Sequence, residues 1–126
     1  MSAQEASDAT PAVVPPVNVY ESGGQLSVAV PLPGAHPEQI RLLLRPDRLE
    51  LEAQGKYPQE SQNYLRKGWT VGRTRLDLDL PRRVAPEKAH ATLNLGVLVL
   101  MAPISESGQG EQVVAVEIHH PAVPPP

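Results

Sequence analysis

The side chains that could perform acid–base or metal chemistry are few and poorly placed. His119 and His120 are adjacent, and adjacent residues of an extended chain point to opposite sides, which is poor geometry for a shared metal ion. Asp77 and Asp79 lie two apart and could suggest a pair of acids. The leucines that alternate with them indicate instead the solvent face of a strand. The sequence therefore predicts no catalytic residue, no metal site and no cofactor, and the chain is not expected to be an enzyme.

Hydrophobic binding is the remaining chemistry. Val116 and Ile118 lie two apart, so an extended tail would present both side chains on one side. Pro103 and the glycine-containing linker 105–111 separate this pair from the rest of the chain. This separation favours a tail that docks into a hydrophobic groove, either its own or a neighbour's. The alternative is that residues 113–118 form one more strand of the core.

Composition limits the classes of partner. The 126 residues contain no cysteine, which excludes disulfides and thiolate zinc sites. A net charge of −3 gives no electrostatic footprint for nucleic acid. No apolar run approaches the ~20 residues of a membrane span, and residues 1–5 lack the basic start of a signal peptide. We therefore expect a cytoplasmic protein with neither nucleic-acid nor membrane partners.

Short strands must position these residues, because apolar and polar residues alternate along most of the chain. The alternation occurs at residues 25–30, 48–53, 76–80 and 91–95. Continuous apolar runs at 41–45 and 97–101 suit strands covered on both faces or lying at a contact surface. No long helical periodicity appears.

Turn signals separate these segments. They lie at Gly23-Gly24, Pro33-Gly34, Pro46-Asp47, Pro81-Arg82 and Leu95-Gly96. Two similar phrases, 36–40 and 85–89, place Pro before Glu as at the start of a single helical turn. Several short strands with turns between them predict an all-β sandwich.

In their order along the chain, these motifs resemble the small heat shock protein family and its α-crystallin domain. The hairpin from Ala91 to Pro103 is similar to the family's signature, an Ala, four residues and then Gly-Val-Leu. The chain also matches the family's Leu-Pro-Gly turn at 32–34 and its tail motif of two aliphatic residues at 116–118. Further matches are the first strand at 17–21, the next hairpin at 47–51, the exchanged loop strand at 63–67, and 80–81 followed by 86–89.

The resemblance implies a fold and a division of the chain. The fold is all-β, an immunoglobulin-like β-sandwich with disordered N- and C-terminal tails. A short disordered N-terminal arm would occupy residues 1–16 and the α-crystallin domain residues 17–103. A flexible C-terminal extension with the Val-x-Ile motif would occupy residues 104–126.

By the same resemblance, a groove that binds clients or the tail lies between two strands. One strand carries Leu42 and Leu44, and the other carries Ala91 and Leu93. The tail motif, Val116 and Ile118, would occupy this groove.

A second implied site is a strand exchanged between two subunits. Tyr64, Leu65 and Arg66 would pair with a partner's first strand near Val19 and so cover a bare sheet edge. A mobile surface loop is the alternative. Trp69 would pack at the subunit contact or in the core.

The chain departs from the family pattern in ways that affect assembly. Thr74, Leu76 and Leu78 stand where the family usually carries Phe-x-Arg-x-Phe, so an arginine that joins inter-subunit ion pairs is missing. Leu95 stands where Asn or Asp usually precedes the turn glycine. The arm is short and lacks Phe, whereas a longer aromatic-rich arm drives large assemblies. We therefore expect a small assembly, a homodimer.

The resemblance implies an ATP-independent chaperone, a holdase that prevents the aggregation of partly unfolded client proteins under stress. ATP-dependent chaperones would then refold the clients. The alternative function is a co-chaperone-like β-sandwich module that binds a single folded partner. Such a module would stay monomeric and would need neither the exchange strand nor the tail motif.

Overall fold

The fold is a sandwich of two β-sheets. The computed structural model describes residues 12–55, 63–68, 72–106 and 112–120. One sheet has the strand order β1-β2-β7-β6-β9 and the other β5-β4-β3-β8. The elements are β1 (Asn18–Ser22), β2 (Gln25–Pro31), β3 (Ala35–Arg45), β4 (Arg48–Gly55), β5 (Arg73–Asp79), a 3-10 helix (Pro86–Lys88), β6 (His90–Asn94), β7 (Val97–Pro103), β8 (Val114–Ala115) and β9 (Ile118–His119).

The predicted β-sandwich is thereby confirmed. Residues 1–11, at the start of the predicted arm, lie outside the described residues, as do residues 121–126 at the end of the predicted extension.

The space between the sheets is filled by aliphatic side chains. Each strand contributes alternate residues, so that on β7 Leu98, Leu100 and Ala102 are buried while Val97 and Met101 are exposed. The largest fully buried side chains are Leu44, Leu49, Leu51, Leu98, Val28, Val30 and Val84. Removal of this apolar area from water is the main stabilising contribution to the fold.

Two hairpins turn on pairs of residues with positive φ. Gly23 (+60°) and Gly24 (+79°) join β1 to β2, and Leu95 (+53°) and Gly96 (+78°) join β6 to β7. Positive φ at both central residues matches the right-handed twist of the paired strands. Leu95 is the only residue other than glycine with positive φ among the described residues.

The chain before β1 lies on the opposite sheet. The Val13 N–H donates to the Arg73 carbonyl oxygen at 2.8 Å, and the Arg75 N–H donates to the Val13 carbonyl oxygen at 3.0 Å. This short parallel bridge between Val13 and Thr74 covers the start of the outer edge of β5. The segment then crosses to the five-stranded sheet, where β1 pairs with β2.

Candidate functional site: a groove covered by the chain's own tail

The four predicted groove residues point into the sandwich from two neighbouring strands. Leu42 and Leu44 on β3 are 2% and 0% exposed, and Ala91 and Leu93 on β6 are 0% and 3% exposed. β3 belongs to the four-stranded sheet and β6 to the five-stranded sheet. Without β8 and β9, β3 and β6 would be the edge strands of their sheets on this side of the sandwich.

The tail covers this side by pairing with both sheets in turn. β8 runs antiparallel to β3, with Ala115 opposite Leu43 and Val114 opposite Leu44. The Val116 N–H donates to the Leu42 carbonyl oxygen at 2.9 Å. The chain then crosses the gap, and β9 runs parallel to β6.

In that second pairing, Ile118 lies opposite Ala91 and His119 opposite Thr92. Residues 114–119 thus form two strands of two residues on different sheets, not the single additional core strand that the sequence left open.

The two residues of the tail motif face inward together. Val116 and Ile118 are half-buried and pack against the core, whereas Glu117 and His119 are exposed. This alternation agrees with the spacing of two residues in an extended chain. A cleft between the tail and the first part of β3 is lined by Pro37, Glu38, Ile40, Val116, Glu117 and Ile118. The tail therefore pairs with the edges of β3 and β6 and leaves an open space beside the first part of β3.

An arginine pairs with Glu106, three residues after the end of β7. The Arg82 Nε donates to a Glu106 carboxylate oxygen at 2.7 Å, and its Nη1 donates to a Glu21 carboxylate oxygen at 3.0 Å. The hydrogen bond to Glu106 and the negative charge of Glu21 raise the pKa of the Arg82 guanidinium. This pairing joins the beginning of the tail segment to the end of β1.

The predicted exchange residues are exposed in the single chain. Leu65 is 96% exposed, Tyr64 is partly exposed, and the Lys67 ammonium lies 5.2 Å from the centroid of the Tyr64 ring. Arg66 is exposed as well. Trp69 lies outside the described residues.

Val19, the predicted contact on the partner, is half-buried in β1. Within the described part of the chain, β1 pairs with β2 alone, so its other edge is available for a strand. A single chain cannot test the exchange, which stays a prediction.

The histidines and aspartates do not converge. No group of three His, Asp or Glu residues that could hold a metal ion is found in the parts of the chain that the structure describes. Asp77 and Asp79 face solvent and form ion pairs with Arg48, at 4.0 Å and 2.8 Å. The predicted solvent face of β5 is therefore confirmed. Among the described residues, no helix has the length and apolar character needed to cross a membrane.

The sequence profile of the Hsp20/alpha crystallin family matches residues 18–119. This chain belongs to that family. The resemblance inferred from the motifs is thus confirmed, and the matched region of this Hsp20 family member runs from β1 to the second tail strand, β9. The family is one of non-enzymatic chaperones, so membership implies a chaperone function, the binding of unfolded clients and oligomerisation.

Solved structures of other small heat shock proteins share this fold. HspA from Xanthomonas axonopodis has a TM-score of 0.69 and 21% identity, over 78% of this chain and 100% of that chain. A small heat-shock protein from Xylella fastidiosa has a TM-score of 0.66 and 22% identity, over 81% and 95%. Heat shock protein 16.0 from Schizosaccharomyces pombe has a TM-score of 0.61 and 19% identity, over 82% and 98%. Among curated proteins, no sequence matches this Hsp20 family member significantly.

Proposed function

We propose that this protein is an ATP-independent holdase that binds partly unfolded proteins and prevents their aggregation. The observation that supports this proposal best is the apolar groove of β3 and β6 under a tail with only two short pairings. A holdase needs apolar surface that can be exposed on demand, and a removable cover provides it. The cytoplasm is the proposed location, and ATP-dependent chaperones are the proposed recipients of the clients.

The tail is held weakly enough to be a removable cover. Full burial of a Val or Ile side chain contributes roughly 1.5–3 kcal/mol, and neither of the two motif residues is fully buried. Ordering the tail opposes this gain, because each fixed residue costs ~1–2 kcal/mol of backbone entropy. Segments with so few buried contacts open at a much lower free energy than the core. Opening would uncover Leu42, Leu44, Ala91 and Leu93.

The proposed assembly is a homodimer made by exchange of residues 64–66. Leu65 is almost wholly exposed to water, so its side chain is accessible to a partner subunit. Among the described residues, no strand pairs with the outer edge of β1 near Val19. Such an edge is an aggregation hazard unless another strand covers it. Pairing of residues 64–66 with β1 of the partner would cover both the Leu65 side chain and the edge of β1.

The test is light scattering of purified malate dehydrogenase at a temperature where it aggregates, without nucleotide. The expected result is suppression near equimolar subunits, with no suppression by an inert protein at the same mass. Sedimentation of the protein alone should show a dimer. A monomer that leaves scattering unchanged over a wide range of ratios would instead favour the module that binds a single folded partner.

A further inference from the structure

The two outer faces of the sandwich differ in charge. The four-stranded sheet carries a ladder of opposite charges, in which Arg75 pairs with Glu52 at 3.2 Å and Arg48 with Asp79 at 2.8 Å. The five-stranded sheet has no Asp, Glu, Lys or Arg among the outward residues of its four longer strands. These residues are Asn18, Tyr20, Ser22, Gln25, Ser27, Ala29, Pro31, His90, Thr92, Asn94, Val97, Val99, Met101 and Pro103. A solvated sheet face normally carries polar residues, whereas half of the fourteen residues on this uncharged face are apolar or aromatic.

Apolar side chains are concentrated on this uncharged face. Val97, Met101 and Tyr20 are among the most exposed large hydrophobic residues of the described chain, at 38%, 41% and 49%. Ser27 lies opposite both Tyr20 and Met101 and is only 2% exposed. A shallow cleft at one end of the face is lined by Pro16, Val17, Asn18, Ala29, Pro31 and Val97.

The hairpin tip at the same end of the face adds a strained aliphatic residue. Leu95 is 94% exposed and has a φ of +53°, a conformation that Asn or Gly adopts at much lower cost. It is two residues from Val97 and next to Gly96, whose added Cβ would contact Pro33. Leu95 belongs neither to the core cluster of the described chain nor to the residues packed against it, so core packing does not offset this strain. Strain of this kind is typical of sites that contact a ligand.

The size of the face distinguishes between two kinds of partner, a second copy of this chain and an extended segment of a client. Two of the four strands have seven residues and two have five. With strands about 4.8 Å apart and about 3.3 Å per residue, the projected area of the face is roughly 400 Å². A stable protein–protein interface buries about 800 Å² per partner, so a second copy packed on this face would be held too weakly. An extended segment of seven residues is about 23 Å long and matches the strands in length.

We infer that this uncharged face, with Leu95 at its tip, binds extended aliphatic segments of unfolded client proteins. This inference rests on the proposed holdase function and locates a client surface that stays open while the tail covers the groove. The lack of charge favours segments without charged residues and allows many sequences. The small area predicts weak, rapidly exchanging contacts.

Photo-crosslinking identifies the molecule that binds the uncharged face. A benzoylphenylalanine is placed at Val97 on the uncharged face and, as the matched control, at Leu43 on the charged face. Each protein is irradiated with heat-destabilised malate dehydrogenase, and mass spectrometry identifies the captured peptides. The expected result is at least threefold more client captured from position 97, on segments poor in charge. Capture of a second copy or of residues 1–11 instead would overturn the inference.

A double variant separates binding from stability. Leu95→Asn with Val97→Thr keeps the turn and the strand while removing apolar surface. The expected result is at least a twofold rise in the amount needed for half-suppression of aggregation, with no fall in Tm. Leu43→Gln should leave suppression unchanged. If the wild-type protein suppresses aggregation and the double variant suppresses it equally well, the client face is refuted and the holdase function stands. Preferential client capture from position 97 without suppression would support the face and refute the holdase function.

Discussion

Removal of the two inward side chains of the tail tests whether the tail is a separable cover. The perturbation is Val116→Ser with Ile118→Ser. Both side chains are more than half buried against the core, so the pair contributes at least half of the ~1.5–3 kcal/mol per residue of full burial. The expected loss of docking free energy is therefore at least about 1.5–3 kcal/mol. Since 1.4 kcal/mol is a factor of ten, the population of the open tail would rise by at least roughly 10- to 150-fold.

Two readouts distinguish opening of the tail from unfolding of the domain. The Val116 amide, which donates to the Leu42 carbonyl at 2.9 Å, should lose its protection from hydrogen exchange. The Tm should change far less than in Leu49→Ala, where a core side chain that lies outside the groove and is 1% exposed is lost at a cost of about 2–5 kcal/mol. For a domain of this size, each kcal/mol corresponds to about 4–8 °C.

The matched control is Glu117→Ser with His119→Ser, which changes the two exposed neighbours of the same segment. This control should keep the amide protection of Val116. If the Val116/Ile118 variant lowered the Tm as much as Leu49→Ala, the tail would be part of the cooperative core and the idea of a removable cover would be wrong.

Three further perturbations follow from local geometry. Leu95→Asn relieves a strained φ of +53° and should raise stability by about 1–2 kcal/mol, measured as Tm; a lower Tm would show that Leu95 packs within the fold. Val13→Pro removes the N–H that bonds the Arg73 carbonyl and uncovers the edge of β5, so sedimentation should show more self-association; an unchanged profile would contradict this role. Arg82→Gln should speed hydrogen exchange at Ser105 without a large change in Tm, and unaltered exchange would mean that the pairing with Glu106 does not fix this segment.

Much of the fold follows from alternation in the sequence. The pattern at 76–80 places Leu76 inside and Asp77 outside, and β5 has that arrangement. The phrase at 85–89 predicts a single helical turn, and a 3-10 helix forms at Pro86–Lys88. The turn glycines can also be predicted from the local sequence, because a tight turn needs a positive φ, which glycine adopts readily.

The similar phrase at 36–40 behaves differently. The sequence predicts a helical turn there, but residues 35–45 are a single strand, β3, whose register with β4 shifts between Ala35 and Ile40. Because of this shift, Pro37 lies where the ladder needs no hydrogen-bond donor, and proline has no N–H to donate. The same dipeptide therefore gives different local structures, because pairing with β4 outweighs local preference.

Continuous apolar runs contain no period, so they cannot show which residues face inward. In 41–45, Leu42 and Leu44 are buried while Leu43 is only half-buried among the charges of the outer face. The sequence also could not show that the tail is divided between two sheets, because Val116 and Ile118 have the same spacing in one strand or in two. The contact of Val13 with β5 depends on a neighbour sixty residues away, which local patterns cannot reveal.

The pairing of β2 with β7 sets a delay during synthesis. Strands β3, β4 and β5 follow one another and are complete by Asp79, whereas Pro31 pairs with Val97 and Gln25 with Pro103, about 70 residues later. At ~5–20 residues per second, the ribosome needs roughly 4–14 s to supply the partner of β2. During this time Leu26, Val28 and Val30 lack the strand that will cover their other edge. For those seconds, each newly made chaperone is itself an unfinished chain with an exposed apolar strand, and it has the properties of a client.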